Sequence, residues 1–127
     1  MIYRRSSRKT VDELDQRLRD AAARHKFGLL GVRDLKQTLA SKGLEFEREV
    51  RVYDICNPHH AKTVLTEAIE VSTALPCRIS IYSTPEGAEV ATILPGEIMK
   101  AFRSSEVLAS TAAEVERAMK LIIDDTV

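Results

Sequence analysis

Tryptophan is absent from the chain, and its three phenylalanines and three tyrosines are scattered along 127 residues. So sparse a set offers no stacking platform for single-stranded nucleic acid. Net charge is missing too, because 19 basic residues stand against 19 acidic ones. Without a basic footprint, no nucleic-acid partner is expected. No apolar run approaches the ~18 residues of a membrane span, and none near the start has signal-peptide length. Neither a membrane nor export is therefore expected, and the chain is read as cytoplasmic. Two cysteines do not make a disulfide framework, and in a reducing cytoplasm both thiols stay free. A G-x-S-x-G elbow, a P-loop, a dinucleotide fingerprint and an H-E-x-x-H pair are all missing. Glu47, Glu49, Glu67 and Glu70 are scattered and make no carboxylate pair.

With 44% apolar and 30% charged residues, the composition is that of a soluble globular protein rather than a disordered one. A chain of this length buries roughly two-thirds of its unfolded surface, enough for a core without a metal or disulfides. Residues 1–127 are read as one domain. The basic cluster "RRSSRK" near the N-terminus reads as a solvated strand end rather than a phosphate contact.

Thr10 and Glu13 form a T-x-x-E capping box, and Val11, Leu14, Leu18, Ala21 and Ala22 then share one face of a helix running to about His25. Its other face carries the pairs Glu13–Arg17, Asp15–Arg19 and Asp20–Arg24, acid before base at helical spacing. "KFGLLGVRDL" reads as a short buried strand, with Gly28 and Gly31 placed for close packing. Asp34 caps a second helix that ends at Gly43. In "EREVRVYDI" Val50 and Val52 point one way and Arg51 and Tyr53 the other, as in an antiparallel sheet with one wetter face. Asn57 and Pro58 open a helix to about Ala68 with Ala61, Val64, Leu65 and Ala68 inward. "CRISIYSTPEGAEVATIL" is a hairpin turning at Thr84–Gly87. After a short helical segment, Ser104 or Ser105 caps a last helix with the stripe Leu108, Ala112, Val115, Met119 and Ile122. The hairpin and the alternation predict an α+β fold with a mainly antiparallel sheet packed on helices.

Chemistry concentrates in "YDICNPHHAKTVL". Cys56 stands where a strand runs into a helix start, whose unpaired N–H groups favour a thiolate. His59 and His60 fill the first turn of that helix. Cys77 shares the core-facing side of its strand with Ile79 and Ile81, the place of an inert buried thiol. If the two strands are neighbours, the thiols approach each other. Cys56, Cys77 and one of His59 or His60, with His59 the nominal candidate, amount to three metal ligands, an open site rather than a closed structural one. Four readings stay open: metal binding, thiol redox or nucleophilic chemistry, purely structural thiols, and a small ligand held by the amides of the helix start.

The segments "KFGLLGVRDLKQTLASKG", "VYDICNPHHAKTVL" and "ALPCRISIY", in that order, resemble the domain-of-unknown-function 302 family over roughly residues 10 to 103. The specific part is Cys56-Asn57-Pro58 with Leu75-Pro76-Cys77. The resemblance implies a TATA-binding-protein-like β-α-β(4)-α arrangement with extra short helices, and a homodimer. It implies no activity and names no cofactor. Fold likeness to a DNA-binding protein is no warrant for DNA binding. The expectation is a homodimeric binding or accessory protein, with its ligand or metal site among Cys56, Asn57, His59, His60 and Cys77. The alternatives are a thiol-dependent redox protein or enzyme using Cys56 and Cys77, and a structural assembly domain.

Overall fold

In the computed structural model, which describes residues 1–127, the chain runs β1 (Ile2–Ser7), α1 (Val11–Arg24), β2 (Gly28–Asp34), α2 (Leu35–Ser41), β3 (Val50–Cys56) and α3 (Pro58–Glu67). A 3-10 helix (Ile69–Ala74), β4 (Cys77–Thr84), β5 (Gly87–Ile93), α4 (Pro95–Met99) and α5 (Glu106–Thr126) complete it. Strand, helix, four strands and a final helix is the expected order, with α2, α3, the 3-10 helix and α4 as insertions. Four helices start at the side chains that the sequence offers as caps. Thr10 and Glu13 close a reciprocal capping box on α1; Asp34, Asn57 and Ser105 accept from first-turn amides of α2, α3 and α5. Gly43, at φ 80°, follows the last turn of α2 in the left-handed conformation that a glycine takes without penalty.

The strands form one sheet in the order β1-β5-β4-β3-β2, and every neighbouring pair is antiparallel. Where β1 turns toward α1, it crosses the hairpin so closely that a Cβ on Gly87 would lie 2.7 Å from Arg8 Cα and collide with the Ser7 carbonyl oxygen. Helices α1 and α5 cover one face of the sheet. Between them lies a cluster of 16 buried residues that includes Leu14, Leu18, Tyr53, Ile79, Val90 and Ile122. A smaller cluster, Val64, Ala68, Val71 and Leu108, sits apart under α3 and the start of α5.

Three expectations need correction. β2 is an edge strand rather than a buried one: Leu30 is 65% exposed at an irregularity in the β2–β3 register. Gly31 has nothing within 4 Å of where a Cβ would sit, so close packing does not explain it. Of the three ion pairs expected along α1, only Asp15–Arg19 closes. Glu13 is taken by the capping box, and Arg17 instead donates to the Thr126 carbonyl at 2.6 Å, where α5 ends. Arg24 and His25 reach Asp125 in the same place. The face read as solvated thus caps the negative end of α5, which rewards cations more than an exposed pair on one helix does.

The covered face of β3 carries Arg51, Tyr53 and Ile55, and leaves Val50 and Val52 half-buried on the open side. Partners on α1 make this arrangement affordable. The Tyr53 hydroxyl donates to Asp15 Oδ1 at 2.6 Å and Arg51 donates to Asp12 Oδ1 at 2.6 Å. Burial and the neighbouring carboxylate push the Tyr53 phenol well above its usual range. Burial would raise Asp15 as well, but hydrogen bonds from Arg19 and Tyr53 and the charges of Arg19 and Arg51 outweigh it and hold the carboxyl low. A depressed carboxyl contributes stability above its ordinary value of 3.8 and loses it as pH falls through the lower one. Tyr53→Phe should therefore cost about 1–2 kcal/mol at neutral pH by urea denaturation. The deficit should shrink as acid protonates Asp15; an unchanged midpoint at pH 7 would show that this bond does not tie α1 to the sheet.

Candidate functional site

β3 and β4 are neighbours, and Cys77 pairs directly with Ile55. Cys56 is therefore one residue along on the adjoining strand, so the two motifs that are 19 positions apart in "CNP" and "LPC" counting meet at one end of the sheet. There a cavity of about 140 Å³ opens between the strand ends and helices α3, α4 and α5. Its origin is the divided core. Phe27, Ile55 and Met119 on its wall belong to the large cluster, while Val64, Leu75 and Met99 belong to or pack on the small one. The clusters do not fuse, and the space between them is left open.

Four of the five residues singled out from sequence line this cavity: Cys56, Asn57, His60 and Cys77. His59 does not, and is exposed on α3. Consecutive helical residues diverge by roughly 100°, so only one histidine of the pair can face inward, and it is His60. The ligand set Cys56, His59 and Cys77 is not assembled. No group of three His, Cys, Asp or Glu side chains is placed to hold a metal ion.

The helix start is also already occupied by its own cap. Asn57 Oδ1 accepts from the amides of His59 at 3.0 Å and His60 at 3.2 Å. The Ala61 amide bonds the Asn57 carbonyl at 3.0 Å, and Pro58 has no N–H to give. No first-turn amide of α3 is left for an anion, which weighs against the one of the four readings that used them. What the cavity offers is an apolar wall with a few polar side chains.

Two of these side chains come from α5 or lean on it. His60 Nε2 lies 3.2 Å from Glu114 Oε2, and its ring is tilted against Phe27 with centroids 6.2 Å apart. The Nδ1 atom of His60 is buried without a partner. Thr111, only 7% exposed, lines the cavity from α5. Sequence reasoning passed over both α5 residues. The signal was present in Thr111, a polar residue set into the apolar stripe three positions after Leu108; Glu114 gave none, since a glutamate on an exposed helix edge looks like solvated surface.

Burial pushes the Cys77 thiol up to about 11, with the nearby Cys56 adding to the shift. At neutral pH Cys77 is thus a protonated thiol and not a nucleophile, so any exchange at this pair has to begin at Cys56. A raised acid contributes stability that is complete below its ordinary value of 9.0 and is lost as pH rises through about 11. The stability difference between wild type and Cys77→Ser should accordingly shrink by on the order of 3 kcal/mol across that window. A difference independent of pH would show that the thiol titrates alike in the folded and unfolded chain.

Comparison with known proteins agrees with this architecture. A crystal structure of an uncharacterized conserved protein DUF302 from Bacillus stearothermophilus superposes with a TM-score of 0.93 at 24% identity, covering 99% of this chain and 98% of that one. At that identity the likeness speaks for the fold alone. No protein with a curated description matches. The family model "Domain of unknown function DUF302" matches residues 2–126. With nearly every residue matched and the same fold in a relative, the chain belongs to the DUF302 family.

Proposed function

We propose that the chain is a binding or accessory protein that holds a small, mainly apolar molecule in the cavity beside Cys56, His60 and Cys77. The observation that carries this reading is an apolar gap of about 140 Å³ between two cores, lined by 21 residues of which 14 are hydrophobic. An engineered apolar cavity of about 150 Å³ in another protein stays dry and takes benzene. By volume alone this one suits a ring of similar size. Its thiols act as soft walls rather than reacting groups, consistent with the protonated state of Cys77. In a reducing, cytoplasmic setting both would stay free.

The proposed assembly is a homodimer formed through the open face of the sheet. That face carries Ile2 and Ile93, a cross-strand pair 48% and 55% exposed, together with the half-buried Val50 and Val52. Arg4 with Glu89 at one side and Arg33 with Asp54 at the other supply both signs of charge. Such a set is self-complementary under a two-fold axis. No helix covers it.

Saturating toluene should raise the melting temperature by several degrees, because a ligand that binds only the folded state stabilises it by mass action. Ala112→Leu, which places three more carbon atoms against the cavity, should abolish that shift while leaving the free protein no less stable. Overpacking in a filled core would instead destabilise it by about 1–3 kcal/mol. No shift in wild type would remove the binding reading. Separately, light scattering should return twice the 14.2 kDa chain mass, and Val52→Glu should halve it. A wild-type monomer at micromolar concentration would end the homodimer proposal.

A further inference from the structure

Three polar residues are buried in the fold: Thr92, Thr111 and Thr126. Thr92 donates to the Arg78 carbonyl at 2.7 Å and Thr126 to the Ile122 carbonyl at 2.7 Å. Thr111 has no such partner, although it is 7% exposed and faces the cavity. A helical threonine normally donates to the carbonyl one turn back, as Thr63 and Thr66 do in α3. For Thr111 that carbonyl belongs to Val107, which already accepts the Ser110 hydroxyl at 3.3 Å. An unpartnered hydroxyl in an apolar wall is destabilising until something pairs with it.

A second unpaired group sits on α3, where His60 meets Glu114 of α5. Glu114 follows Thr111 by three residues and so shares its side of α5. The Glu114 carboxylate accepts from His60 at Nε2; assigned from that partner, the imidazole proton sits on Nε2 and leaves Nδ1 as a bare acceptor. That Nδ1 is buried and unsatisfied. That atom is closed even to a water molecule, so the cavity wall presents one unpartnered group, the Thr111 hydroxyl, and the amides of the α3 start are spent on Asn57.

Deepening the apolar-cavity reading on which it rests, we infer that the ligand is a neutral, ring-sized molecule carrying one hydrogen-bond acceptor, as a phenol does, which accepts from the Thr111 hydroxyl. An anion is disfavoured by the neighbouring Glu114 and by the absence of a free amide. The ring occupies the space between the two clusters, and the acceptor faces Thr111 on α5.

Phenol and toluene have the same number of heavy atoms and differ in that hydroxyl, so the ratio of their affinities isolates its contribution. Calorimetric titration of the intact protein with each should give a phenol-to-toluene preference that falls about tenfold in Thr111→Val, the scale of one lost buried hydrogen bond, and persists in Thr111→Ser. Thr111→Val should also melt higher than wild type without ligand, because it removes an unpaired hydroxyl from an apolar wall. An unchanged ratio, or a lower melting temperature of the free variant, overturns the assignment of the hydroxyl while toluene binding keeps the cavity reading intact. If neither compound binds at millimolar concentration, both fail together.

Discussion

The apolar stripe of α5 holds the molecule together, because it serves two cores at once. Val115, Met119, Ile122 and Ile123 close the large cluster against the sheet and α1, and Leu108 closes the small one under α3. The segment between them, from Thr111 to Glu114, has to bridge a space that neither cluster fills. A helix is rigid at this length, so it cannot bend to close the gap, and close packing on both sides leaves the cavity as the residue of two separate optimisations. The end of α5 is secured as well: Arg17, Arg24 and His25 from α1 gather at its last turn, where cations complement the helix dipole.

The chemistry of the site follows from the same division. Strand pairing brings Cys56 and Cys77 to the rim of the gap, but the helix cap beside Cys56 consumes the donors that would have favoured an anion there. Burial keeps Cys77 protonated. Little is left of a reactive centre. The unpartnered group that faces the gap is the Thr111 hydroxyl, suited to orienting a neutral molecule rather than transforming it. That is the usual composition of a small-ligand pocket: an apolar enclosure with a few polar groups that fix orientation.

Much of the fold was legible because its signals are local. The Thr10–Glu13 box, the Asn57-Pro58 start and the Thr84–Gly87 turn each depend on residues within a few positions of one another, and each forms as read. The failures share a cause. β2 looked like a buried strand because its leucines and valine are apolar, but strand order made it an edge. Glu13–Arg17 and Asp20–Arg24 obeyed the helical rule and still lost their arginines to the end of α5, more than 100 residues away in sequence. The covered face of β3 carries an arginine and a tyrosine, which no hydropathy pattern would choose, because carboxylates on α1 wait for them.

For the site, the sequence by itself determined which residues had chemistry to offer and which segments would present them: two thiols, a capping asparagine and a histidine pair at a strand-to-helix junction. Those are properties of residue type and spacing, and spacing along one helix already implied that the histidines diverge. Only the tertiary structure decided which histidine faces inward, that β3 lies beside β4, and that a remote helix supplies Thr111 to the wall and Glu114 to His60. These outcomes depend on how separate elements pack, and packing is a competition among distant surfaces that no local pattern encodes.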